Sequence, residues 1–335
     1  MLVWTIDVLH LDLRYTWKIS RNATDFKKNL IVTLTDGTHI GKGEAAPNIR
    51  YGESPESCSQ EFDRFTHSLP DQLEDISQLH YAMKVANTSH ALSFAIESAY
   101  IHYWGKKNNQ SVAEQLKIVP HGPVPTSYTI PIMETGKIKL FYAENNLRRF
   151  PFIKLKVNVD DAFESLNHLL SFSENPIMVD ANEAFKDVEE CIRWLEKIKK
   201  MPLVFVEQPL PSEMKEESIY LKKHCPFPLM ADEAVTDQAD FEWLKRSFDG
   251  INMKLMKAGG YFNGLRLLNE AKANNMRTMI GCMVETTLGI SSAMNLCSLV
   301  DYADLDSFIL LKEEPFGLID EKNGVLTNKN SVKFI

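Results

Sequence analysis

The sequence predicts an α/β protein built as a (β/α)8-type barrel, modified so that seven β/α units are followed by a final strand, with an α+β capping domain. Eight short apolar runs begin near residue 125, and their centres lie 27, 24, 27, 25, 22, 28 and 22 residues apart. Each step has room for one strand, one loop and one helix, and a barrel of this kind needs eight such steps. The runs centre on Thr129, Lys156, Asp180, Glu207, Asp232, Lys254, Cys282 and Asp304.

The part of the chain before these runs, residues 1–115, is predicted to form the capping domain, with strands first and helices after. Apolar residues 30–35 are followed by Asp36-Gly37, a hairpin signal. Over residues 91–101 apolar side chains recur every three or four positions, as in an amphipathic helix. The barrel is predicted over residues 116–309. Residues 310–335 contain turn signals and no room for a full helix, so we expect them to return to the capping domain.

Composition excludes several classes of protein. The net charge is −8, and a chain without long basic runs is poorly suited to nucleic acid or to an anionic membrane. The five cysteines form no C-x-x-C pair, so neither a zinc site nor a disulfide framework is indicated. The first residues alternate like a strand and include Asp7 and Asp12, unlike a signal peptide, and no apolar stretch is long enough to span a membrane. We therefore expect a cytoplasmic protein that acts on a small molecule. We also expect a homo-oligomer, although composition does not determine the oligomeric state.

Charged residues stand at the ends of the apolar runs, where the active sites of such barrels lie. Alone, each is typical of a strand entering a polar loop or of a solvated sheet face. Their order indicates a site, because three acids occupy consecutive strand ends with lysines on the strands at either side. The acids are Asp180, Glu207 and Asp232, and the lysines are Lys154, Lys156 and Lys254.

The three carboxylates predict a metal site. Hard oxygen ligands suit Mg²⁺ or Mn²⁺, and we expect one ion per subunit. Without a cation, the carboxylates would repel one another and their pKa values would rise. A bound cation could also polarise a substrate carboxylate.

The lysines predict acid–base chemistry. Lys156 and Lys254 come from the second and sixth strands, on opposite sides of the barrel, which suits removal of a proton α to a carboxylate from one face and its return from the other. Such a two-base exchange inverts the carbon. Lys154 lies two residues before Lys156 on the same strand face, where its charge would lower the pKa of the base.

Taken together, these stretches resemble the enolase superfamily, and most closely its muconate lactonizing enzyme subgroup. The matching segments are G-E-A-A-P, I-K-L-K-V, V-D-A-N, F-V-E-Q-P-L, M-A-D-E-A-V, I-N-M-K-L-M-K-A-G-G and G-C-M-V-E-T-T-L-G-I. The D-L-D at 304–306 is similar to dipeptide epimerases, in which two aspartates hold the α-ammonium of the substrate. The resemblance implies a Mg²⁺-dependent epimerase of L-Ala-D/L-Glu or a similar cell-wall dipeptide, working through a metal-stabilised enolate. The alternatives are a cycloisomerase or an o-succinylbenzoate synthase-like lyase of the same superfamily, or a barrel that only binds a ligand.

The resemblance also assigns roles to residues. It implies Lys156 and Lys254 as the acid–base pair and Asp180, Glu207 and Asp232 as metal ligands. Asn182, Glu233 and Asn252 are expected to support them. In the loop after the first strand, Lys18 or Arg21 could pair with a substrate side-chain carboxylate, although a solvated basic loop is as good an interpretation; Arg50-Tyr51 is another candidate contact. The implied substrate contacts are Thr129, Lys154, the backbone of Cys282, Met283 and Val284, and the carboxylates of Asp304 and Asp306.

Overall fold

The computed structural model describes residues 2–20 and 22–329. The chain begins with an antiparallel sheet in the order β1-β2-β3, followed by four helices. The third helix packs so closely on β3 that a Cβ at Gly41 or Gly43 would lie 2.0 Å from a helix carbonyl oxygen, so only glycine fits there. The elements are β1 (Val3–Lys18), β2 (Ala23–Thr35), β3 (Ile40–Ala45), α1 (Pro55–Ser68), α2 (Ile76–Ala86), α3 (His90–Asn108) and α4 (Val112–Leu116).

Eight parallel strands follow, hydrogen-bonded in chain order into one nearly closed sheet. They coincide with the eight apolar runs of the sequence, and the predicted fold class is confirmed. The strands are β5 (Ser127–Ile130), β6 (Phe152–Lys156), β7 (Ile177–Asp180), β8 (Leu203–Glu207), β9 (Leu229–Ala231), β10 (Gly250–Met253), β11 (Arg277–Gly281) and β12 (Tyr302–Asp304), preceded by the short β4 (Val124–Pro125). The helices between them are α5 (Ile138–Glu144), α6 (Ala162–Leu170), α7 (Val188–Ile198), α8 (Lys215–His224), α9 (Phe241–Ser247), α10 (Leu255–Ala258), α11 (Tyr261–Ala273) and α12 (Thr287–Met294).

The barrel interior is layered. Strand residues alternate between the two sheet faces, so Ile153 and Leu155 pack outward into the main core while Lys154 points inward. One layer of the interior is an apolar cluster, and on β7 and β8 its residues stand two positions before the acids at the strand ends. The barrel is thus filled beneath the charged layer, which faces the cap. The buried members of the apolar layer are Met178, Phe205, Met230 and Met279.

Side chains close the seam between β12 and β5. Ser127 Oγ donates to Asp304 Oδ1 (2.6 Å), and the Thr129 amide donates to Asp306 Oδ2 (2.6 Å). The Leu305 amide donates to Thr126 Oγ1 (2.8 Å). The D-L-D segment is therefore part of the barrel wall as well as of its rim.

The segment after β12 contacts both parts of the molecule. The Lys312 amide donates to the Asp12 carbonyl of β1 (2.9 Å). Further on, β13 (Ile319–Lys322) and β14 (Val325–Asn328) form a hairpin through Asn323 and Gly324, both with positive φ, and β14 pairs with β4 beside the barrel. The domain limits at residues 115 and 309 stay predictions, and residues 330–335 lie outside the described part. Among the described helices, none combines the length and apolar character needed to cross a membrane.

Candidate active site

Three carboxylates converge at the carboxyl ends of β7, β8 and β9. Asp180 and Glu207 are the last residues of their strands and Asp232 follows its strand directly. All three are buried, and one oxygen of each lies within 4.8 Å of the others. Glu207 Oε2 has no polar partner among the described residues apart from the Lys154 ammonium 2.9 Å away. Burial, with repulsion from the two aspartates, raises the pKa of Glu207 to about 8.

These residues fit a divalent cation. Three clustered oxygen donors suit Mg²⁺, and a cation would relieve the repulsion that raises the pKa of Glu207. Neighbouring polar groups already hold the carboxylate of one acid and the backbone of another. Asn252 Nδ2 donates to Glu207 Oε1 (2.8 Å), and Gln208 Oε1 accepts from the Asp232 amide (2.9 Å).

Lys156 and Lys254 stand on opposite sides of this triad. Lys156 Nζ donates to Asp180 Oδ2 (2.8 Å) and to Asn182 Oδ1 (2.7 Å). Lys254 Nζ donates to Asp232 Oδ2 (2.8 Å). Burial would lower the pKa of Lys254, but the carboxylates of Asp232, Glu207 and Glu233 together outweigh it and raise that pKa. The two ammonium groups thus flank the carboxylates from the second and sixth strands.

Lys154 occupies the centre of the charged layer. Its Nζ lies 3.1 Å from Asp180, 2.9 Å from Glu207 and 2.9 Å from Asp304, and its side chain is 2% exposed. Burial alone would lower its pKa, but these acids raise the pKa of Lys154 well above its ordinary value. Lys154 therefore offsets the negative charge of the three acids that surround it.

The two aspartates of the D-L-D segment differ in their partners. Asp304 accepts from Lys154, Ser127 and Thr129. Burial would raise the pKa of Asp304, but Lys154, Ser127 and Lys254 together lower it. Asp306 accepts from the Thr129 amide, and burial together with Asp304 raises its pKa to about 7. Thr129 thus bridges both aspartates at the rim.

The backbone after β11 lies against the same rim. Cys282 Sγ donates to the Asp304 carbonyl (3.3 Å). The Met283 amide donates to Glu285 Oε1 (2.7 Å), and the Val284 carbonyl accepts from Asn29 Nδ2 of the cap (2.9 Å). Two of the backbone groups predicted to bind substrate therefore have partners within the protein, while all three residues line the pocket between cap and barrel.

The cap loops roof this pocket. Arg50 makes a bidentate contact with Glu183 (Nε to Oε2 3.1 Å, Nη2 to Oε1 3.0 Å) and a further one with Glu213 (2.8 Å), so its charge is already neutralised. Ser20 Oγ donates to the Asn182 carbonyl (2.7 Å). Lys18 is exposed and is not among the residues that line the pocket. Arg21 lies outside the described residues.

Three site features escaped the sequence prediction. Lys257 is 1% exposed, and its Nζ donates to Asp232 Oδ1 (2.6 Å) and to the Asn252 carbonyl (3.2 Å). Gln208 Oε1 fixes the Asp232 backbone by accepting from its amide, and the Trp17 ring centroid lies 5.9 Å from Lys156 Nζ. Two of these features could have been found from the sequence. Lys257 is the second lysine of M-K-L-M-K-A-G-G, and Gln208 directly follows Glu207.

A parallel barrel with a lysine-flanked triad of carboxylates at its rim, roofed by an α+β cap, defines the class: a capped-barrel enzyme with a carboxylate metal site. Residues 142–314, more than half of the chain, match the family model described as Enolase C-terminal domain-like. The chain belongs to the enolase superfamily.

Two similar proteins are named as epimerases of dipeptides that contain L-Ala. The chain is 32% identical over 331 residues to an L-Ala-D/L-amino acid epimerase of Pedosphaera parvula, covering 95% of this chain and 93% of the relative. It is 30% identical to one of Flavobacterium johnsoniae, covering 96% and 95%. A solved enolase family member from Agrobacterium tumefaciens, with homology to dipeptide epimerases, was determined with sodium and L-Ala-L-Glu bound; it superposes with a TM-score of 0.87 at 26% identity and full coverage of both chains.

Proposed function

We propose that the protein is a Mg²⁺-dependent dipeptide epimerase that inverts the α-carbon of the C-terminal residue. The observation that carries the proposal is the pair Lys156 and Lys254 on opposite sides of the carboxylate triad, each 2.8 Å from one of its oxygens. The names of its relatives agree with this activity. The expected substrate is L-Ala-D/L-Glu or a similar dipeptide.

The lysines carry the proton transfers. As a free amine, one takes the α-proton from its face of the substrate, and the other, as an ammonium, returns a proton to the opposite face. When bound, Mg²⁺ would stabilise the negative charge that develops on the substrate carboxylate. Lys154 offsets the charge of the acids around it, and Asn182 orients Lys156.

The other end of the dipeptide is assigned to Asp304 and Asp306. A paired acid site attracts an ammonium and disfavours a second carboxylate, which fixes the direction in which a dipeptide binds. The cycloisomerases and o-succinylbenzoate synthases act on substrates without an amine and have no need of such a pair. The D-L-D segment therefore favours the epimerase over those lyase alternatives. Binding of one Mg²⁺ per subunit, use of Mn²⁺, a homo-oligomer and a cytoplasmic location stay predictions.

The test is a screen of L,L-dipeptides in D₂O with Mg²⁺, read by mass and by chiral chromatography. We expect deuterium at the α-carbon of the C-terminal residue together with its inversion. A Lys156→Met/Lys254→Met double variant serves as the control for adventitious exchange. If no dipeptide takes up deuterium, the proposed function is wrong. Exchange without inversion would instead favour a one-base reaction.

A further inference from the structure

The turn of chain that follows Lys254 ends against the cap. Lys254 directly precedes α10, and its carbonyl accepts from the amides of Lys257 and Ala258 (2.9 Å each). Gly259 and Gly260, both with positive φ, then lead into α11. This compact turn therefore connects Lys254 to the first residue of α11.

The N-terminus of α11 is capped by a residue from another part of the molecule. Gly260, the N-cap residue, has no side chain that could accept from the first amides of the helix. Glu97 of α3 supplies the acceptor, because its Oε1 accepts from the amide of Tyr261 and from that of Phe262 (3.3 Å). A Cβ at Gly260 would collide with this carboxylate, so only glycine allows the contact. The cap thus fixes one end of the turn whose other end is Lys254.

The Glu97 carboxylate is itself held in place. Glu97 is the single acid of α3 and is 3% exposed. His80 Nε2 of α2 lies 2.6 Å from Glu97 Oε2, so both carboxylate oxygens have partners. Burial of a carboxylate is costly unless its hydrogen bonds are satisfied, and the N-terminus of a helix favours a negative charge. Glu97 therefore forms a fixed link between two cap helices and the start of α11.

We propose that Glu97 is a positioning residue for Lys254, because by fixing the start of α11 it holds the turn that orients the Lys254 side chain toward the substrate. The inference rests on the proposed function and adds to it a role for the cap in one of the two proton transfers. The contacts of Glu97 are to α2 and α11, whereas Lys156 ends β6 on the other side of the carboxylate triad. The effect of Glu97 should therefore be confined to the substrate face that Lys254 serves.

The experiment follows loss of the α-proton in D₂O with Mg²⁺, separately for the two epimers of one active dipeptide. The epimer whose exchange is abolished in Lys254→Met identifies the face that Lys254 serves. Glu97→Ala leaves the first amides of α11 without their acceptor. We expect its kcat for exchange of that epimer to fall about 10- to 100-fold with KM unchanged, because a shift of about 1 Å in a catalytic group can cost about 100-fold. Exchange of the other epimer should stay at the wild-type rate.

Three further variants are matched to this one. Glu97→Gln keeps an oxygen that can accept from both amides and should restore most of the exchange. Glu97→Asp withdraws the carboxylate from α11 through its shorter side chain, so it should lower the same rate and decides the question if Glu97→Ala does not fold. Glu61→Ala is the control, since Glu61 also accepts from a backbone amide, that of Ser89 in the cap (2.7 Å), and both rates should stay at the wild-type value.

Equal losses with both epimers would show that Glu97 acts on the structure of the whole site and would overturn the inference, as would wild-type rates in Glu97→Ala and Glu97→Asp. Labelling of the lysines by acetic anhydride without substrate, read by mass at each position, separates this result from the fate of the proposed function. If the wild type exchanges no dipeptide but Glu97→Ala alters the labelling of Lys254 and not that of Lys156, the epimerase proposal fails and the positioning role stands. If the wild type exchanges both epimers and Glu97→Ala changes neither rate, the reverse holds.

Discussion

Asp232 is held by Lys257, whose ammonium lies 2.6 Å from Oδ1 of the carboxylate and is 1% exposed. Lys254 contacts the other carboxylate oxygen at 2.8 Å. Two lysines three residues apart in the sequence therefore form ion pairs with the same aspartate. Only Lys254 lines the pocket. Lys257 therefore acts as a positioning residue for a member of the carboxylate triad.

Replacing Lys257 by Met should destabilise the metal-free protein and increase its response to Mg²⁺. Breaking a buried ion pair typically costs about 3–5 kcal/mol, and a bound cation would restore part of the lost compensation. The measurement is the thermal midpoint with and without Mg²⁺, with Lys199→Met as the control because Lys199 forms an exposed ion pair with Glu196. Equal midpoints and equal Mg²⁺ shifts in the variant and the wild type would refute the positioning role.

Replacing Asp306 by Asn should impair dipeptide turnover while leaving Mg²⁺ affinity within about twofold. The variant loses the negative charge that we assign to the substrate ammonium, and a hydrogen bond to a charged group is worth about 10- to 100-fold in kcat/KM. N-propionyl-L-Glu, which lacks the amine, is the matched substrate and should lose far less than L-Ala-L-Glu. A similar loss on both substrates would mean that Asp306 acts through the barrel seam, where it accepts from the Thr129 amide.

Stability should fall in mild acid because of His102. This histidine is buried between cap and barrel, its Nδ1 donates to the Lys42 carbonyl (2.6 Å) and its Nε2 accepts from the Tyr261 hydroxyl (3.0 Å). Burial lowers its pKa from 6.5 to about 4, so between these values the unfolded chain binds a proton that the folded chain does not. The stabilisation is complete above pH 6.5 and is lost as the pH falls to about 4.

From pH 7 to pH 5 this single group should lower the free energy of unfolding by about 2 kcal/mol. Urea denaturation at pH 7 and at pH 5 measures this change in the free energy of unfolding. In His102→Gln the change should be smaller than in the wild type by about 2 kcal/mol. The exposed His67 provides the control, since His67→Gln should retain the wild-type difference. An unaltered pH dependence in His102→Gln would contradict the assignment.

The parts of the site that sequence could predict are those that follow from a repeat. Asp180, Glu207 and Asp232 stand at equivalent positions of successive units, and parallel strands bring their carboxyl ends to one rim. The same logic placed Lys156 and Lys254 on opposite sides of the triad. The seven regular intervals between the apolar runs therefore predict the strand order of the barrel and the positions of most charged residues at its rim.

Contacts between cap and barrel were not predictable in this way. Lys18 and Lys27 both lie on cap strands, but only Lys27 of the two lines the pocket, and the register of β1 on β2 shifts between Asp12 and Trp17. The Arg50–Glu183 pair joins residues 133 positions apart, in segments with no shared periodicity. Such contacts depend on how two units dock, and no local pattern encodes that.

The central claim is that Lys156 and Lys254 act on opposite faces of the same α-carbon, and single-lysine variants test it most directly. Lys156→Met and Lys254→Met are each incubated in D₂O with Mg²⁺ and separately with the two epimers of one active dipeptide, and α-deuterium is followed by mass. Each variant should lose epimerisation, each should retain exchange with one epimer alone, and the epimer should differ between the two variants. If both variants exchange the same epimer, or if either still inverts the carbon, the two-base account is contradicted.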